Sequence, residues 1–405
     1  MQLNLSSLDK IKVILFSNIR IGRKINIPFP VFVWFLLPTI AVVAELLHHK
    51  INNYSIYKYV FWHTVEKTNL YLQYPGQFED ANHYGPFFSI IIAPFAILPD
   101  AVGVILWVWA NTWFLYYAIR QLPISLKAKY IILLVAAIEL MTASHNVQFN
   151  PMMAAWIILS YTFVKKGNDF WATFFIAAGF LVKIYGITGL LFFLFSKNKS
   201  KFTGSFLFWM VALICLPMVI SSPSFIFQSY IDWKDSLVLK NTLNAVLGNM
   251  QDISVPGMIR RFFVYQDLSM AAVLLPAGLL FCLPLLRFSL YQNKVYQLYY
   301  LALTLITVVI FSSSAESPTY IIALCGVGIW FVLNAHHNKT SDKLLLGFVL
   351  LLTSLSPTDL FPRYVRNNFI IPYSLKALPC FVIWIVLIMK LTFQKSESLD
   401  YKEVL

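Results

Sequence analysis

Within the stretch YPGQFEDANHYGPFF (residues 74–88), Glu79 and Asp80 stand close to His83 and Tyr84, and Glu66 lies a short way upstream. A carboxylate in such a setting can take a proton from a sugar hydroxyl as that hydroxyl attacks an anomeric carbon. It can also stabilise positive charge developing there. An acidic pair in a loop is more often a solvated feature, so its meaning depends on what faces it. A second group is basic: Lys183, Arg260, Arg261, Arg363 and Arg366. Arginine grips phosphate through two N–H donors, so these residues suit the head of a lipid-linked phosphate, with anchoring to membrane headgroups as the competing use. Lys183 stands out because its neighbours are apolar, where an unpaired charge is costly.

Three further polar clusters are SHNVQFN (144–150), SSSAESPTY (312–320) and SPTDLFPRY (356–364). From them His145, Gln148, Glu316 and Tyr320 can hydrogen-bond a sugar, although helix caps and turns use the same residue types. Trp62, Trp233 and Tyr230 can stack on sugar rings or anchor the chain at an interface. Glu45 and Glu139 fall at the edge of or inside apolar runs, and both are expected to be paired within a bundle. The four cysteines, Cys215, Cys282, Cys325 and Cys380, all sit in apolar runs without CxxC or Cys/His spacing. His48–His49 and His336–His337 lack further ligands at metal spacing. The residues therefore call for no metal site and no cofactor, and whether a divalent ion assists is left open.

These groups have to be positioned by a very apolar chain. Of its 405 residues 59% are hydrophobic and 12% charged, and the mean hydropathy is +0.70. That is too little polar surface to clothe a soluble globule. Apolar stretches recur at about 31–48, 101–119, 130–144, 150–164, 170–184, 186–196, 203–220, 268–286, 297–312, 318–334, 343–357 and 375–392. The pattern predicts an all-α polytopic membrane protein of about 12 transmembrane helices, within a range of 11–13; residues 170–196 form one span or two.

The net charge of +13 does not call for nucleic acid, because lysine and arginine collect in cytoplasmic loops. With residues 1–30 inside, as a basic cytoplasmic N-terminus, clusters such as Lys165–Lys166 and Lys197–Lys201 fall on the same side. The tail 393–405 then falls inside as well. The single transmembrane domain, 31–392, carries two large exterior loops, 49–100 and 221–267, and a moderate third around 356–374. Ile56, Tyr57, Val60, Phe61 and Val65 recur at helical spacing opposite Lys58, His63 and Glu66, which predicts an interfacial amphipathic helix. Pro86–Leu98, too short to span easily, predicts a second juxtamembrane or re-entrant helix broken at Pro94.

Two segments, NNYSIYKYVFWHTVEKTNLYLQYP and FEDANHYGPFFSIIIAPFAILP, resemble the first-loop pattern of the family 87 glycosyltransferases. QFNPMMAAWIILSYTFVKKG and AAGFLVKIYGITGLLFFLF are similar to that family's next block, a Gln-x-Asn before one span and a lysine ending the next. GNMQDISVPGMIRRFF and ESPTYIIAL are similar to its later exterior segments. The resemblance covers most of residues 31–330.

It implies a GT-C-like membrane enzyme that moves a sugar, mannose by family analogy, from a polyprenyl-phosphate donor with inversion. The acceptor would be a lipid or glycan, the reaction face exterior, and the setting a bacterial inner membrane with its active site on the periplasmic side. The family's base is commonly an aspartate close behind the first span, and the matching position here is Asn52 or Asn53. Asp80, at the FxD…YGP match, is then the carboxylate for that role, with Glu79 next. Lys183 matches the span-end lysine, and Arg260, Arg261 and Arg363 would join it on the donor phosphate. His83, Tyr84, His145, Gln148, Glu316 and Tyr320 would hold sugar or acceptor. A flippase for lipid-linked saccharide and a polyprenyl-linked glycan polymerase or ligase are the alternatives. The first conflicts with the absence of a clear internal repeat and with ionisable residues gathered towards one face.

Overall fold

The computed structural model describes residue 15 and residues 17–21, 25–244, 246, 251–265, 267–335 and 339–394. Lys10, Lys12, Arg23, Lys24, the His336–His337 pair and the tail beyond residue 394 lie outside them. The chain is mostly helical. Its described start is a small antiparallel hairpin that the sequence pattern does not announce, β1 (Asn18–Ile21) paired with β2 (Ile25–Pro28). It leads directly into α1 (Phe29–Leu47).

The first large loop contributes α2 (Asn52–Glu66) and α3 (Phe88–Ala96). Both juxtamembrane helices expected there are present, with two adjustments. His63, assigned to the polar face of α2, is buried and bonded to Gln77. Pro94 lies inside α3 rather than ending it.

The main bundle follows as α4 (Asp100–Gln121), α5 (Leu126–His145), α6 (Asn150–Lys165), α7 (Asp169–Val182) and a 3-10 segment (Ile184–Phe195). After α8 (Lys199–Cys215) come α9 (Pro223–Asn244) and α10 (Val255–Phe262), which make up most of the second large loop. The chain closes with α11 (Met270–Cys282), α12 (Lys294–Ile310), α13 (Tyr320–Asn334), α14 (Thr340–Val349) and α15 (Ala377–Phe393). Local chemistry marks several starts. Ser125, Asn168, Asn198, Ser254 and Asn293 each accept a backbone N–H of the first turn of α5, α7, α8, α10 and α12, which satisfies a donor the helix itself leaves open.

Helices α6, α12 and α13 are apolar and buried around most of their circumference, the mark of a central element. Helix α13 packs on α12 and α5, and α6 packs on α4 and α7, while α1 flanks α4 and α5. Every apolar stretch read from the sequence is helical. Four segments of the described residues are long and apolar enough to cross a membrane: Phe29–Leu47, Asp100–Gln121, Lys199–Val219 and Ser317–Asn334. Shorter apolar helices accompany them.

Residues 170–196 form two segments. Lys183 has extended backbone and turns the chain between α7 and the 3-10 segment. Gly179 and Gly186 face each other across this turn, so close that a Cβ on Gly186 would lie 2.3 Å from the Gly179 carbonyl carbon. Glu139 of α5 is buried against Lys376, whose Nζ lies 2.9 and 3.1 Å from its carboxylate oxygens and 2.8 Å from Ser317 Oγ. Glu45 meets His145 at 2.8 Å. Both acidic residues are therefore paired within the bundle.

Candidate active site

A cavity of about 470 Å³ opens between the first loop, α9 and the starts of α6 and α13. Its construction begins at Asn52, the first residue of α2. The Asn52 side chain donates to the Glu79 carbonyl at 2.8 Å and accepts the Glu79 N–H at 2.8 Å. Only an amide can do both; a carboxylate at this position would accept but not donate. Asn52 thus clasps the backbone that presents Asp80. Asp80 follows with φ 72°, a left-handed conformation that aspartate tolerates better than most residues. Its Oδ1 accepts the N–H of Ala81 at 2.8 Å, and the exposed side chain sits at the rim of the cavity.

Beyond Asp80 the loop folds back against α7. Asn82 is buried, accepts the Tyr84 N–H at 2.9 Å and fixes the turn. Gly85 then donates its N–H to Val182 at 3.1 Å. A Cβ on Gly85 would stand 2.0 Å from the Leu181 carbonyl oxygen, so only glycine lets the loop lie on the end of α7. Gly85→Ala should destabilise the fold by about 3 kcal/mol, because the backbone it meets cannot step aside. A thermal shift of the detergent-solubilised protein measures this, and an unchanged midpoint would contradict the packing.

The contact sets Tyr84 beside Lys183. Tyr84 and Tyr57 share a hydroxyl hydrogen bond of 3.1 Å, and the Lys183 ammonium lies 4.9 Å from the Tyr185 ring centre and 6.0 Å from that of Tyr84. A chain of side chains then carries Lys183 across the cavity. Its Nζ donates to Asn150 Oδ1 at 2.8 Å, Asn150 donates to Gln148 Oε1 at 2.7 Å, and Gln148 donates to Glu316 Oε2 at 2.8 Å. The Gln-x-Asn pattern is the middle of this relay: two amides, each able to donate and accept, join a cation to a carboxylate. Glu316 is steadied in turn by Thr319, which accepts its backbone N–H at 3.2 Å.

His83 is held from α9. Its Nδ1 meets Ser236 Oγ at 3.0 Å, and Trp233 donates its indole N–H to the His83 carbonyl at 2.9 Å. Burial pushes the imidazole down to about 4, helped by the positive charge of Lys240 and Lys183 and opposed by Asp80. His83 is therefore neutral at pH 7. Its Nε2 is buried without a hydrogen-bond partner among the described residues.

Of the residues singled out from sequence, Asp80, His83, Tyr84, Gln148, Lys183 and Glu316 line this one cavity, with Trp233. The others lie elsewhere. Glu79 is exposed and takes part through its backbone. Arg260 is buried and paired with Asp252, and Arg261 is buried and donates to Ser374. Arg260 thus ties α10 to Asp252 and Arg261 ties it to Ser374, and neither lines the cavity. Arg363 is exposed at the start of a short helical turn (Arg363–Val365). Tyr320 is fully buried and donates to the Ile253 carbonyl at 2.8 Å. His145 opens onto a neighbouring hollow, with Glu45. Trp62 lines a third hollow beside Lys58 and Glu66.

Lys240 is a cavity residue that the sequence pattern did not single out. It lines the cavity and donates to Gln251 at 2.6 Å, supplying the second cation that the arginine pair does not. A signal was present: Trp233, Leu237, Lys240 and Asn241 recur at helical spacing, and all four line the cavity from α9. The cavity thus joins two lysines, two carboxylates, a neutral imidazole and a set of hydroxyls and amides. Such a lining can hold a phosphate and a sugar and can accept a proton.

No curated protein matches this chain. The family model for glycosyltransferase family 87 matches residues 82–314, a span that contains His83, Tyr84, Gln148, Lys183 and Lys240. That span is more than half of the chain, and the protein belongs to glycosyltransferase family 87.

Proposed function

We propose that this glycosyltransferase takes its sugar from a polyprenyl-phosphate carrier and passes it to a hydroxyl acceptor at the exterior face of a membrane. The carrying observation is the pairing of Lys183 and Lys240 with Asp80 and Glu316 around one cavity. A phosphate leaving group needs neutralisation of charge rather than protonation, and two ammonium groups supply it. Their effect is greatest where water is displaced. The aromatic and hydroxyl lining from Tyr57, Tyr84 and Tyr185 suits a sugar ring. An apolar chain with several membrane-length helices suits a lipid carrier better than a soluble nucleotide sugar. The wider architecture in this reading is a GT-C-like bundle of about 12 spans, in a bacterial inner membrane with the cavity on the periplasmic side.

The reaction is a single displacement. Asp80 takes the proton of the acceptor hydroxyl as its oxygen bonds to the anomeric carbon. The bond from that carbon to the phosphate oxygen breaks, and its electron pair leaves with polyprenyl phosphate beside Lys183 and Lys240. One attack inverts the anomeric centre. Mannose is the sugar favoured by the family resemblance. The full chain in liposomes, offered tritiated polyprenyl-phosphate mannose, glucose or galactose and a membrane glycan extract, tests the reading. Label should leave one of the lipids for the glycan and should not leave a nucleotide sugar offered in its place. Consumption of the nucleotide sugar alone would overturn the donor assignment.

A further inference from the structure

Next to the reaction cavity lies a second hollow of about 300 Å³, lined by Glu45, Lys50, Asn52, Asn53, His145 and Asn146. Two of these residues, Asn53 and Asn146, also line the reaction cavity. They form the ridge between the two spaces, with Asn53 Nδ2 donating to the Asn146 carbonyl at 2.7 Å. Asn52, on the same side, fixes the backbone that presents Asp80. The hollow thus adjoins the wall that carries the proton-accepting carboxylate.

Its lining contains no apolar side chain. A hydrocarbon tail gains nothing from such a surface and would strip water from polar groups it cannot pair. A saccharide fits the same surface, since each hydroxyl both donates and accepts. Glu45 and His145 use one atom each on one another, at 2.8 Å. The second Glu45 oxygen and His145 Nε2 have no partner among the described residues, and both side chains reach solvent, at 19% and 38% exposure. They form a preset pair of polar atoms without a ligand. A bare strut between α1 and α5 would not require the open amide-rimmed space around it.

We infer that the hollow of Glu45, Lys50, His145 and the Asn53–Asn146 ridge is the acceptor subsite, and that the part of the acceptor it holds is a saccharide. The inference rests on the glycosyl-transfer reading above. It separates the substrates spatially, with the donor phosphate at Lys183 and Lys240 and the acceptor sugar reaching over the ridge past Asp80.

Saturation-transfer NMR on the full chain in detergent, with methyl α-mannoside, methyl α-glucoside and methyl α-galactoside and no lipid donor, tests it. At least one glycoside should receive magnetisation. Glu45→Gln should weaken that signal and Lys50→Trp should abolish it, because Lys50 is exposed and tryptophan there fills the hollow without breaking the Glu45–His145 pair. Lys183→Ala should leave the signal in place. In the liposome assay Lys50→Trp should raise the acceptor KM at least tenfold while the donor KM moves less than twofold. A signal lost in Lys183→Ala but kept in Lys50→Trp would put the saccharide in the donor cavity and overturn the proposal, as would no signal from any glycoside. The NMR arm needs no polyprenyl phosphate, so a wrong donor assignment would leave its result unchanged.

Discussion

Lys183→Met should lower kcat/KM for transfer by about 10²–10³-fold, the usual consequence of deleting one preorganised charge at a developing anion. Methionine keeps the length and apolar stem of lysine, so packing against Tyr84 and Tyr185 survives while the ammonium is lost. The wild-type ammonium is aimed by Asn150, and that amide is itself fixed by Gln148 and Glu316. The charge is therefore in place before the donor arrives and needs no reorganisation. Lys183→Arg should recover only part of the activity, because the longer planar guanidinium does not reproduce the point charge that Asn150 aims through one hydrogen bond. Initial rates in the liposome assay at saturating acceptor measure both variants. A Lys183→Met enzyme within threefold of wild type would remove this lysine from the phosphate site.

The second large effect is expected at Asp80. Asp80→Asn should reduce turnover by about 10²–10⁴-fold, the range for loss of a positioned proton acceptor, with little change in the donor KM. Asparagine is the informative replacement because the position has φ 72°, which asparagine adopts readily and alanine does not. An alanine variant would combine lost chemistry with strained backbone in the clasp made by Asn52. Circular dichroism and thermal midpoint should match wild type for Asp80→Asn. Near-normal turnover would transfer the role to Glu316, the other carboxylate in the cavity lining.

Much of this site can be read in the residues, because the signals are local. A Gln-x-Asn before a helix and a lysine amid apolar neighbours both violate what a plain membrane span prefers. Both belong to the site: Gln148 and Lys183 line the cavity, and Asn150 joins them in the relay. The arginines misled for a physical reason. Arg260 and Arg261 stand out as charges in an apolar stretch, but Asp252, eight residues before Arg260, and Ser374, far along the chain, claim them. Spacing alone does not reveal a partner more than a hundred residues away. Lys240 was passed over for the opposite reason. Its helix is amphipathic only in its tertiary setting, and among the polar residues of α9 a lysine looks solvated. The juxtamembrane helices were visible from periodicity, but the burial of His63 was not, since its partner Gln77 comes from the loop that follows.

The buried contact of Lys376 with Glu139 and Ser317 bears on the smallest unit that can work. The recognised family region stops at residue 314, yet Glu316 and Ser317 lie just beyond it, and the lysine holding Ser317 comes from the threshold of the last helix. Lys376 also neutralises an acid sunk in α5; removing either partner would strand a charge away from water. The helices at the end of the described chain therefore act as a keystone for the floor of the candidate site. A fragment trimmed to the shared region would leave Glu139 uncompensated and Glu316 missing.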